Sequence, residues 1–107
     1  MMFFTKKAKA EKDSRAALFR VDGAHIKYAA ERLPDGTERI LGKNGAVSVT
    51  SERALLLCGG KAVFSCPTGE TRCAELMSGD GAVFEGKDID TGRQMKVTAY
   101  FTSPIRR

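Results

Sequence analysis

From Ala24 onward, hydrophobic and polar positions alternate in short runs, and turn residues cut the runs apart. The clearest run is Gln94–Phe101, where Met95, Val97, Ala99 and Phe101 alternate with Gln94, Lys96, Thr98 and Tyr100. A period of two marks a strand with one buried face, and a slip by one residue would expose all four apolar side chains. Residues 46–51 repeat the pattern, with Val47 and Val49 predicted inward and Ser48 and Thr50 outward. Residues 61–66 place Ala62, Phe64 and Cys66 on one face, and residues 82–85 predict a further strand. Residues 54–58 form an unbroken apolar run, which predicts a strand covered on both faces. Residues 37–42 predict a short edge strand. Two segments read both ways. His25–Arg32 alternates through Ile26 and Tyr28, yet residues 28–33 also fit one helical turn. Residues 71–77 fit a strand or a helical turn.

The punctuation between these runs is Asp22-Gly23, Pro34-Asp35-Gly36, Lys43-Asn44-Gly45, Gly59-Gly60, Pro67-Thr68-Gly69, Gly79-Asp80-Gly81 and Asp90-Thr91-Gly92. Such residues supply the positive φ angles of tight turns. Their separation of about 8–12 residues is the rhythm of an antiparallel sandwich or small barrel. Strands alternating with long helices, the mark of a parallel sheet, are absent. The fold class predicted is all-β or mainly β, a small antiparallel barrel or sandwich of roughly six to eight strands. The N-terminal residues 1–20 differ. They are rich in Lys and Ala without turn residues, which predicts a helix over 8–18 or a loose tail, since the apolar spacing of Ala8, Ala10, Ala16, Ala17 and Leu18 is poor. The chain thus divides into a basic tail or short helix, 1–20, and one β domain, 21–107.

Charge changes the picture less than its total implies. The formal net charge is +5. Residues 1–20 carry Lys6, Lys7, Lys9, Lys12, Arg15 and Arg20 against Glu11 and Asp13, and Arg106 and Arg107 close the chain. Residues 21–105 are nearly neutral. A basic composition is the usual first argument for a nucleic-acid partner; here the charge sits at the ends, so that argument weakens. A length of 107 residues fits one domain. Nothing approaches the ~18–20 apolar residues of a membrane span. The opening Met-Met-Phe-Phe precedes its lysines, the reverse of a secretory signal, and three cysteines are an odd number. Both point to a cytoplasmic protein with reduced thiols.

Complete chemical constellations are missing. The sulfur and imidazole ligands are Cys58, Cys66, Cys73 and His25, without the close cysteine pair that zinc sites use. Cys58 and Cys66 fall in apolar strand contexts, where cysteine serves as a small hydrophobe. A thiol enzyme would need His25 beside Cys66 or Cys73. The acidic run Asp88-Ile89-Asp90-Thr91-Gly92 lacks the ligand spacing of a calcium loop and reads as a solvated turn. The glycine-rich stretch from Gly79 to Gly86 does not match a phosphate loop. Tyr100, predicted outward beside Lys96, is one aromatic and one cation, which is not a platform for single-stranded nucleic acid. No catalytic residue, cofactor or metal is expected.

The stretch Gly45-Ala46-Val47-Ser48-Val49-Thr50-Ser51-Glu52-Arg53-Ala54-Leu55-Leu56-Leu57, followed by Lys61-Ala62-Val63-Phe64-Ser65, resembles the central hairpin of bacterial PH-like and GRAM-type domains. In those families a strand ending in Thr-x-x-Arg leads to an apolar strand, a turn and a Phe-containing strand. The resemblance covers residues 45–65. It implies a seven-stranded, strongly bent sheet closed at one end by a C-terminal helix, and a ligand- or partner-binding module with no catalytic residues. Phe101 is followed here by only Thr-Ser-Pro-Ile-Arg-Arg. The function expected is therefore a small cytosolic non-catalytic binding module with a protein, peptide or small-ligand partner, and an exposed edge such as residues 37–42 makes a homo-oligomer plausible. The alternative is nucleic-acid or anionic membrane-surface binding through Lys6, Lys7, Lys9, Lys12, Arg106 and Arg107.

Overall fold

A computed structural model describes residues 14–102. A short helix, α1, covers 14–20. Seven strands follow: β1 (His25–Arg32), β2 (Glu38–Val49), β3 (Arg53–Cys58), β4 (Lys61–Pro67), β5 (Arg72–Glu75), β6 (Gly81–Lys87) and β7 (Gln94–Phe101). A single 3-10 turn, Thr68–Glu70, joins β4 to β5. All seven strands belong to one antiparallel sheet in the order β4-β3-β2-β1-β7-β6-β5. The protein is mainly β, as the alternation predicts.

The sheet bends into a barrel-like shell. Ile26, Ala29, Val47, Val49, Ala54, Leu56, Phe64, Cys66, Phe84 and the four alternating residues of β7 fill its interior. Closure brings β4 against β6: a methyl group added at Gly86 would lie 2.5 Å from the Cys66 sulfur. Asp88, in the β6–β7 turn, holds that seam. Its Oδ1 accepts the Ser65 N–H at 2.8 Å, its Oδ2 accepts the Thr91 N–H and hydroxyl, and the Ile89 N–H donates to the Ser65 carbonyl. Asp88 is buried and acts as a bracket, while Ile89, Asp90, Thr91 and Gly92 are exposed, as expected of a solvated turn. Helix α1 closes one end of the shell with Ala17, Leu18 and, just after it, Val21. It is tied down where Ser14 Oγ accepts the Cys73 N–H and Arg20 pairs with Glu75.

Three strand expectations change. Lys43-Asn44-Gly45 is not a turn. It lies inside β2, which is twelve residues long and absorbs the predicted short strand 37–42. Asn44 does adopt φ +56°, but the left-handed residue kinks the strand, and Gly45 lies so close to β3 that any side chain would overlap the Leu57 carbonyl. Second, β3 alternates: Ala54, Leu56 and Cys58 are buried, while Leu55 and Leu57 are half-buried on the outer face. Third, a register shift between Leu56 and Leu57 sends Ala62 out to solvent while Phe64 and Cys66 point in. His25–Arg32 is a strand, and residues 72–75 of the second ambiguous segment are also a strand.

Candidate functional site

A sheet of this kind offers partners its faces, its cavities and its edges. The edges are decided by backbone hydrogen bonds. At β4 the outward amide and carbonyl of Ser65 are taken by Asp88 and Ile89, and Pro67 has no N–H to offer. At β5 the outward Cys73 N–H is taken by Ser14. The end of β4 at residues 65–67 and the Cys73 amide of β5 are thus capped from within the chain.

A third edge lies inside the sheet order. β2 pairs with β1 from Glu38 to Ala46 but with β3 only from Gly45 to Val49. Residues 38–43 thus have a strand on one side alone. The β1–β2 hairpin fixes which groups face outward. Gly36 N–H donates to the Leu33 carbonyl at 2.9 Å and Leu33 N–H to the Thr37 carbonyl at 2.8 Å. Leu33 and Thr37 are therefore a hydrogen-bonded pair, the alternation makes Glu31 and Arg39 another, and the N–H and C=O groups of Glu38 and Ile40 turn to the unpaired side. The Ile40 side chain is 55% exposed. The expected edge over 37–42 is thus present, though as the first half of a long strand.

The outer face beside this edge carries ordered rows. Tyr28 sits opposite Lys43 on one side and Tyr100 on the other, and the two tyrosine rings stack with centroids 4.6 Å apart. Ile40 sits opposite Ala30, which faces Thr98 and then Val83. Glu38 sits opposite Arg32. Burial first, then the nearby Glu38 carboxylate, raises the Tyr100 hydroxyl above its usual range. Tyr100 is outward as predicted, but it is half of an aromatic pair, because β1 shifts register between Ile26 and Tyr28 and turns Tyr28 outward as well. That shift has no sequence signature.

On the inner side of the same end, Glu31 is buried and accepts from Arg39 at 2.9 Å and Arg93 at 3.3 Å, both through Oε1. This clamp joins β1, β2 and the β6–β7 turn. It was not legible in the sequence because Arg93 lies 62 residues from Glu31. A cavity of about 660 Å³ lies beside β5, lined by Arg15, Glu70, Arg72, Glu85 and Lys96 among others. Its cations and anions are mixed, so it selects no charge.

The thiols are placed against catalysis. All three cysteines are buried and unbridged. Burial, with a smaller push from Glu75, raises the Cys73 thiol to about 12, and burial raises Cys58 and Cys66 as well. A thiol at about 12 supplies almost no thiolate near neutral pH. His25 is exposed at the start of β1, opposite Ala46, with no hydrogen bond to any cysteine among the described residues. Among the described residues no group of three or more His, Cys, Asp or Glu gathers to hold a metal, and no helix is long and apolar enough to cross a membrane. Lys6, Lys7, Lys9, Lys12, Arg106 and Arg107 lie outside the described residues. No protein-family model, no curated protein and no solved structure matches the chain.

Proposed function

We propose that the protein is a small non-catalytic binding module that receives an extended strand from a protein or peptide partner along residues 38–43 of β2. The observation that carries this reading is the one-sided pairing of that stretch, with Ile40 exposed on it. An unpaired run of N–H and C=O groups is a template for strand addition. Main-chain bonds supply affinity without sequence demands, and Ile40 supplies an apolar anchor. The caps on Ser65 of β4 and Cys73 of β5 favour a partner here over the two terminal strands. The resemblance of residues 45–65 to PH-like domains supports the same class, since it implies a partner-binding module without catalytic residues.

The test is selection from a library of randomised peptides, followed by amide exchange. Selected peptides are expected to slow exchange at Glu38 and Ile40 and to lose binding in Ile40→Lys. Peptides that protect other segments, or a library that yields no binder, would contradict the reading.

A second reading has one observation in its favour. Tyr28 and Tyr100 form a stacked pair with exposed Lys27 and Lys43 beside it, a better platform for a polyanion than the sequence implied. It predicts binding of oligothymidylate that fades steeply with salt and falls in Tyr28→Ala with Tyr100→Ala. Binding that is absent at low salt removes it.

A further inference from the structure

We infer that the strand received along β2 is β2 of a second copy, so that two molecules join across a two-fold axis into one continuous sheet; this rests on the edge reading above. The argument is the order of side chains on the edge. β2 shifts register against β1 between Ala29 and Ala30: Ala30 faces Ile40, Ala29 faces Gly42, and Leu41 is the extra residue. The bulge makes Leu41 and Gly42 share one position of the ladder, the inner one opposite Ala29, with Leu41 packed against the core. Counted that way, Glu38, Ile40 and Lys43 all stand on the outer face, opposite Arg32, Ala30 and Tyr28 of β1. The series reads acid, apolar, base, and it is symmetric about Ile40.

An antiparallel copy of such a series complements itself. The two-fold axis passes through Ile40, which meets Ile40 of the second copy, and each Glu38 meets the Lys43 of the other. On the inner face Arg39 meets the Leu41–Gly42 position, so the arginine keeps its place on Glu31 and meets no second cation. A parallel or shifted arrangement loses this: centring the pair on Arg39 sets two arginines against each other, and centring it on Glu38 sets two carboxylates together. The interface is isologous, the commonest closed form, and it consumes both exposed edges at once, leaving no template for further growth. Extension on the far side stops where Gly59 N–H donates to the Asn44 carbonyl.

The experiment is sedimentation of the full chain over a concentration series, with amide exchange on the same samples. The expected result is a monomer–dimer equilibrium in which the Glu38 and Ile40 amides gain protection as dimer forms. Glu38→Lys is expected to weaken association about tenfold by setting lysines against each other at both symmetric positions, and Glu38→Lys with Lys43→Glu to restore it to within about threefold. Both variants lie on an exposed strand and are compared at equal helix and sheet content by circular dichroism. A chain that stays monomeric at all concentrations overturns the inference, as does a dimer indifferent to the charge swap. If the monomeric chain still takes selected peptides at Glu38 and Ile40, the second copy is refuted while the edge reading stands; if neither binds there, both fall.

Discussion

Asp88 shows how much one side chain can hold. It is fully enclosed and accepts three hydrogen bonds, from Ser65 on β4 and from the backbone and hydroxyl of Thr91 in its own turn. Asp88→Ala leaves the Ser65 N–H without a partner at the seam, so urea unfolding is expected to show a loss of about 2–4 kcal/mol, with Asp88→Asn milder because its amide oxygen still serves one donor. Cys73 makes a pH-dependent contribution. Its pKa is raised in the folded state to about 12, so its stabilising effect is complete below the ordinary thiol range and is lost as pH rises toward that value. Between pH 9 and 12 the unfolded chain releases the proton and the folded chain keeps it, so stability falls by about 1.4 kcal/mol per pH unit from this group. Thermal melts across that range should show a shallower decline in Cys73→Ala than in the parent chain. Parallel declines would mean that Cys73 is not the cause.

At the scale of elements, α1 spans only residues 14–20, too short to hold by itself, and its stability comes from docking. Leu18 is completely enclosed. Leu18→Ala is expected to cost about 2–4 kcal/mol, and to speed exchange at the Cys73 amide, which Ser14 protects. Loss of stability without that local change would place Leu18 in the core but not the helix on β5. Periodicity made some elements readable: in Gln94–Phe101 the four alternating apolar residues all point inward, whereas in His25–Arg32 the register shift breaks the alternation and buries Ala29, Ala30 and Glu31 in succession. Irregularities were not readable. Asn44-Gly45 has the chemistry of a tight turn, but the same positive φ serves equally to kink a strand, and only the neighbouring strand decides which. The extra residues that turn Tyr28 and Ala62 outward leave no trace in composition, because a bulge costs the sequence one position and no special side chain. The Asp88 bracket and the Glu31 clamp were hidden for another reason: their partners, Ser65 and Arg93, are distant in sequence.

For the whole molecule, the bent sheet closes by contact between β4 and β6, where glycine leaves room for a sulfur. Gly86→Ala drives a methyl group against Cys66 and is expected to destabilise by about 1–3 kcal/mol, with Cys66→Ala restoring part of the loss in the double variant. Strict additivity would mean that the seam is looser than described. Closure caps β4 at Ser65, α1 caps β5 at Cys73, and the first half of β2 carries no such cap among the described residues. The functional account depends on that stretch. It is tested most directly by amide exchange along β2 in dilute solution. The account predicts fast exchange at Glu38 and Ile40 and slow exchange at Arg39, the alternation of a strand bonded on one side only. Slow exchange at all three in a monomer would show the edge already covered, and fast exchange at all three would show that β2 does not hold to β1 there; either result contradicts it.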